Sequence, residues 1–120
     1  MSLSYIFDSN HRLLHITADG PSSIGDFEDV VPDMLQEISD KKDILLLIEL
    51  HGFLLSARPQ DHDLGFFLIN QIKSQVAKCA FVCSKEQTSM TQELAQLLEN
   101  QAHPTGTFDS SRMARQWLLG

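Results

Sequence analysis

Apolar residues in this chain fall into short runs and one-sided stretches that alternate with polar segments, and the alternation predicts its elements. Tyr5-Ile6-Phe7 and Leu13-Leu14-His15-Ile16-Thr17 read as two short strands. Asp8-Ser9-Asn10-His11 between them is turn chemistry, because such side chains satisfy local backbone groups. The pair predicts an antiparallel hairpin, ended by Asp19-Gly20-Pro21. A helix is expected from Ser23, where Ser23 and Asp26 form a capping box. Ile24, Phe27, Val30, Val31, Met34, Leu35 and Ile38 then recur at intervals of three and four, on one helical face. Pro32 forfeits the bond to the Glu28 carbonyl, which is tolerable if Pro32 faces solvent.

Asp43 to Leu50 predicts the clearest strand. Its unbroken aliphatic run, Ile44 to Ile48, marks a central strand covered on both faces. His51 to Asp63 reads as a loop containing Gly52, Pro59 and two aspartates. A second helix is expected from about Asp63 to Ala77, with Leu64, Phe67, Leu68, Ile72 and Val76 on one side. Gly65 weakens its first turn by about 1 kcal/mol relative to alanine. Lys78 to Cys83 reads as another buried strand, and Ser84 with Gln87 as a second capping box before a helix burying Met90, Leu94, Leu97 and Leu98. Thr107-Phe108 forms a short last strand. Asp109 or Ser110 then caps a final helix with Met113, Ala114, Trp117 and Leu118 inward, and Gly120 suits its end. The order ββαβαβαβα predicts an α/β fold: a mixed, mostly parallel sheet covered by helices, with right-handed crossovers and one antiparallel strand.

Length and charge narrow the function. A chain of 120 residues predicts a single domain over residues 1–120, and 42% hydrophobic content argues against disorder. The net charge is −7 and the densest basic spot is Lys41-Lys42, so nucleic acid is not expected as a partner. The same acidity disfavours anionic membrane surfaces. The run Ile44 to Ile48 falls far short of the roughly 20 residues that span a bilayer, and no signal peptide is evident, so a cytoplasmic protein is expected. Cys79 and Cys83 would lie about 13 Å apart on a strand, against about 4.4–6.8 Å in a disulfide. Their spacing is not C-x-x-C, and both read as small apolar core residues.

The richest polar neighbourhood is Glu49, His51, Ser56, Arg58, Asp61, His62 and Asp63, beyond the carboxyl end of the central strand, where open α/β sheets place ligands. Asp61-His62-Asp63 offers donors, but adjacent residues rarely converge on one ion and zinc needs three or four, so no metal is expected. Asp63 reads as a favourable charge at a helix start. Phe53, Leu54 and Leu55 in the same loop either fold back as a lid or form an apolar surface for a partner, a second copy or a ligand. G-x-S-x-G is absent and every glycine is isolated, so neither acyl transfer nor a phosphate-cradling loop is indicated. No catalytic residue and no cofactor are expected.

Four passages together resemble the SpoIIAA-like (STAS-like, more broadly STAS/SEC14-like) domains, relatives of the bacterial anti-sigma-factor antagonists. They are Gly20 with Asp26-Phe27 and Val31-Pro32; Leu45-Leu46-Leu47-Ile48-Glu49-Leu50-His51-Gly52-Phe53; Lys78-Cys79-Ala80-Phe81-Val82; and Phe108 through Ala114-Arg115-Gln116-Trp117-Leu118. The resemblance covers nearly the whole chain and implies a mixed sheet covered by helices and non-enzymatic behaviour. Anti-sigma antagonists carry a phosphorylatable Ser or Thr just after an acid at the helix start following the central strand. This chain reads Glu49-Leu50-His51-Gly52-Phe53-Leu54-Leu55-Ser56 there, without the acid–hydroxyl pair, which leaves Ser56 a candidate phosphosite by location. The expectation is a non-catalytic regulatory or protein-interaction module that docks a protein partner or itself, as a possible homodimer, through the Gly52–Asp63 loop, with His51 before it, and the adjoining second helix. A small apolar or lipid-like ligand under Phe53, Leu54 and Leu55 is the alternative, and a phospho-switch at Ser56 a further one.

Overall fold

The computed structural model describes residues 2–19, 24–51, 68–83 and 104–120. Strands β1 (Ser2–Asp8) and β2 (Leu13–Asp19) form the expected hairpin, each somewhat longer than its apolar run. In the turn, Asp8 accepts the Asn10 N–H at 3.0 Å and the His11 ring Nδ1 lies 2.8 Å from its other oxygen. The His11 bond, with Asn10, holds the Asp8 carboxyl below the usual carboxylate range. Helix α1 (Ile24–Ile38) follows, with Val31, Met34 and Ile38 buried and Pro32 exposed, so its missing N–H weakens only the solvent side.

Strand β3 (Ile44–His51) is the middle strand of a five-stranded sheet in the order β1-β2-β3-β4-β5. It pairs parallel with β2 and with β4 (Val76–Val82), β4 pairs parallel with β5 (Thr105–Phe108), and only β1 runs antiparallel. Helix α2, described over residues 68–72, runs into a 3-10 turn at Lys73–Gln75. The expected extension of this helix to Ala77 is therefore corrected. Val76 is extended (φ −89, ψ 129) and pairs with Ile44, because sheet pairing overrides a helical spacing that it happens to continue. Gln75 reinforces the change, its Nε2 donating to the carbonyls of Ile38 at 2.5 Å and Lys41 at 3.0 Å beyond the end of α1.

Two cores lie on opposite faces of the sheet. On one face Leu14, Ile16, Leu46, Ile48, Cys79 and Phe81 meet α1 and α2. On the other, Leu13, Leu47, Ala80 and Val82 meet Ala114 and Leu118 of helix α3 (Ser111–Leu119). Alternation along β3 sends its aliphatics to both faces, as an unalternating run requires. Ser110 caps α3 by accepting the Met113 N–H at 3.2 Å, and the Gly120 N–H closes it on the Gln116 carbonyl at 2.9 Å. Met113, expected inward, is 53% exposed, since α3 turns Ala114 and Leu118 to the sheet instead. Trp117 packs on Phe108 with ring centroids 5.5 Å apart, and Lys78 Nζ sits 4.1 Å from a Trp117 ring centroid while donating to its carbonyl at 2.6 Å. A β-carbon at Gly106 would come within 2.9 Å of the Phe108 ring, so glycine lets that stack lie against β5.

Candidate functional site

The parallel register of β2 and β3 brings Thr17 beside Glu49 and Asp19 beside His51 at the carboxyl end of the sheet. His51, expected at the start of a loop, is instead the last residue of β3. Phe53, Leu54, Leu55, Ser56, Arg58, Asp61, His62 and Asp63 lie outside the described residues. So do the helix expected after Ser84 and the Ser23 cap.

One polar pair was not foreseen. His15, in the middle of β2, places Nε2 2.6 Å from Glu49 Oε1 on β3. Their side chains are 24% and 13% exposed, so the contact is largely withdrawn from water. It lies on the α3 face; among the described elements, α3 makes its main contacts there with β3, β4 and β5. A carboxylate that accepts a ring N–H holds the imidazole in one orientation and clasps neighbouring strands. The sequence signal was parity: His15 and Thr17 alternate with Leu14, Ile16 and Ala18 on β2, while Glu49 interrupts the β3 aliphatics. Only the register of the two strands turns that parity into a contact.

Cys79 and Cys83 are both buried thiols, and burial pushes Cys79 well above the ordinary thiol range, keeping it protonated and unreactive. Among the described residues, no group of three or more His, Cys, Asp or Glu side chains gathers into a metal-binding set. At the opposite, amino end of the sheet, a cleft of about 510 Å³ is lined by Phe7, Ser9, Arg12, Lys41, Lys42 and two aspartates, Asp40 and Asp43. Arg12 and Asp43 have positive φ there (52° and 55°), and Arg12 Nη1 donates to the Lys42 carbonyl at 3.2 Å. No described helix is long and apolar enough to cross a membrane.

A parallel sheet with one antiparallel edge strand and helices on both faces defines a small α/β module. The SpoIIAA-like family profile matches residues 13–119, and the chain belongs to that family. Its fold is similar to the crystal structure of an uncharacterized protein with a SpoIIAA-like fold from Shewanella loihica. The TM-score is 0.67 at 18% identity, covering 98% of this chain and 92% of that one. No curated protein matches the chain.

Proposed function

We propose that this protein is a non-catalytic regulatory module that acts by docking a protein partner through residues 51–63, in a cytoplasmic setting. The observation that carries this reading is the place of His51. It ends the central strand, with parallel neighbours on both sides, at the middle of the sheet's carboxyl edge. In open α/β sheets that edge is where ligands bind. Phe53, Leu54 and Leu55 would supply the apolar anchor of the contact, and Ser56, Arg58, Asp61 and His62 its polar rim. Family membership supports the reading, because SpoIIAA-like domains are generally protein-interaction modules.

The test is affinity purification from native cells of the wild type beside Phe53→Asp/Leu55→Asp, followed by reconstitution with the purified partner. A partner that binds the wild type in solution and loses at least about tenfold in affinity for the variant supports docking here. Recovery of no partner that the substitution releases counts against it. The apolar run also favours a second reading, a small apolar or lipid-like ligand. Native mass spectrometry separates the two, since a co-purifying small molecule that the variant loses indicates a pocket. Ser56 as a phospho-switch calls for an added phosphate in the intact mass of protein from native cells.

A further inference from the structure

The two edges of the sheet are built differently. β5 is four residues long and is followed directly by Asp109. β1 is seven residues long, with no Lys, Arg or Pro and an unbroken register against β2. Four of its residues are Leu3, Tyr5, Ile6 and Phe7, and its only charge is Asp8, at the end. Ile6 is 71% exposed on the face away from α1. Among the described residues, nothing pairs with the outer side of β1. Edges of such length and apolarity are normally blunted by lysine, proline, a bulge or a covering element, because their unpaired N–H and C=O groups template another strand.

The direction of those groups follows from two hydrogen bonds. Leu45 N–H donates to the Arg12 carbonyl at 2.8 Å, so Arg12, Leu14, Ile16 and Ala18 turn their backbone groups to β3, and Leu13, His15 and Thr17 turn theirs to β1. Their partners Asp8, Ile6 and Ser4 face inward in return, and the Asp8 carbonyl indeed accepts His11 N–H within the hairpin. The N–H and C=O groups of Leu3, Tyr5 and Phe7 therefore point outward. We propose that a second copy of this chain covers them, the two β1 strands pairing antiparallel about a two-fold axis at Tyr5. In that register Tyr5 meets Tyr5, and Leu3 meets Phe7 of the other copy, as hydrogen-bonded pairs that use every outward group. Centring on Ser4 or Ile6 leaves one of the three residues unpaired. The ladder sets Asp8 opposite Ser2 rather than opposite a like charge, and Ser4 opposite Ile6, which lays the two exposed Ile6 side chains diagonally across the axis. The self-complementary spacing argues for a copy of this chain over an unrelated strand.

The same geometry carries a cost. Tyr5 donates its hydroxyl hydrogen bond to Glu37 and lies within the field of Asp33, so the axis draws the acids of both copies together. A single added strand pair is also smaller than a standard interface, which makes the dimer a concentration-dependent equilibrium that tightens as salt screens those acids. Sedimentation equilibrium across a concentration series at low and high sodium chloride tests this. The expected mass rises toward twice the 13.5 kDa chain, more readily in high salt. Leu3→Pro, which removes an outward N–H, and Ile6→Lys each weaken association by at least about tenfold, because each acts twice across the axis. Phe53→Asp/Leu55→Asp leaves it unchanged, which separates this contact from the docking segment. Thermal melts verify that the variants fold. A register readout independent of the variants' stability mixes the single variants Ser4→Cys and Ile6→Cys under mild oxidation, where the mixed disulfide should outrun either self-disulfide. A chain that stays at its monomer mass throughout, a dimer indifferent to Leu3→Pro and Ile6→Lys, or self-disulfides that form as fast as the mixed one would overturn the proposal.

Discussion

On the α1 face of the sheet, Leu14, Ile16, Leu46, Ile48 and Phe81 lie under two helices with almost no surface left to water. On the α3 face, among the described residues, the nine-residue α3 packs on β3 to β5, Ser4, Ile6 and Thr17 stand on β1 and β2, and His15 of β2 meets Glu49 of β3. The first face is held by apolar burial, which is non-directional and scales with area. The second joins a smaller apolar core, among the described residues, to directed contacts: Lys78 over Trp117, Trp117 against Phe108, and an imidazole on a carboxylate. Stability should therefore concentrate on one face of the same strands, leaving the other free to vary in chemistry.

The largest expected effect is on the closed face. Phe81→Ala removes a fully buried ring and should cost about 3–5 kcal/mol in urea unfolding. Trp117→Ala removes the ring that both Lys78 and Phe108 touch; at a half-buried site it should cost about 2 kcal/mol, combining packing with ring and cation–π contacts. Equal losses at the two sites would erase the contrast between the faces.

The central strand, the hairpin, the parallel order and the caps of α3 were legible because each rests on a local pattern. Five consecutive aliphatics on β3 have one reading, and Ser110 and Gly120 stand where caps belong. Val76 was misread because it sits four residues after Ile72 and fits helix and strand spacing alike; its pairing with Ile44 decided the matter. The positive φ of Arg12 had no sequence signal, since arginine rarely adopts it. His15–Glu49 was illegible for the same reason as Val76. Residues 34 apart in sequence meet only through a register that no single segment encodes. Of the candidate site, His51 is placed at the end of β3 and the rest lies outside the described residues.

A smaller effect sharpens the role of the clasp. Glu49→Leu should cost about 1–2 kcal/mol by leaving a half-buried imidazole without its acceptor, with a coupling to His15→Phe of about 1 kcal/mol in a double-mutant cycle. If the pair belongs to a recognition surface, the double variant loses partner binding by more than its stability explains. The smallest effect concerns Tyr5, the only tyrosine. Its hydrogen bond to Glu37 comes first, with burial and the charges of Glu37 and Asp33, in raising its ionisation above the ordinary value. A raised folded-state value means that this contribution is complete below about pH 10 and lost as pH climbs through the folded value. Tyr5→Phe should flatten that alkaline decline in urea titrations, and absorbance at about 295 nm reads the single ionisation directly.

The central claim is that a protein docks where the chain leaves the middle of the sheet. A photoreactive residue at Leu54, activated in native cells, tests it most directly. The expected result is a discrete crosslink to one protein other than this chain, reduced when Phe53→Asp and Leu55→Asp are added and absent when the photoreactive residue stands at exposed Pro32 instead. No crosslinked protein at Leu54, or the same products from Pro32, would contradict it.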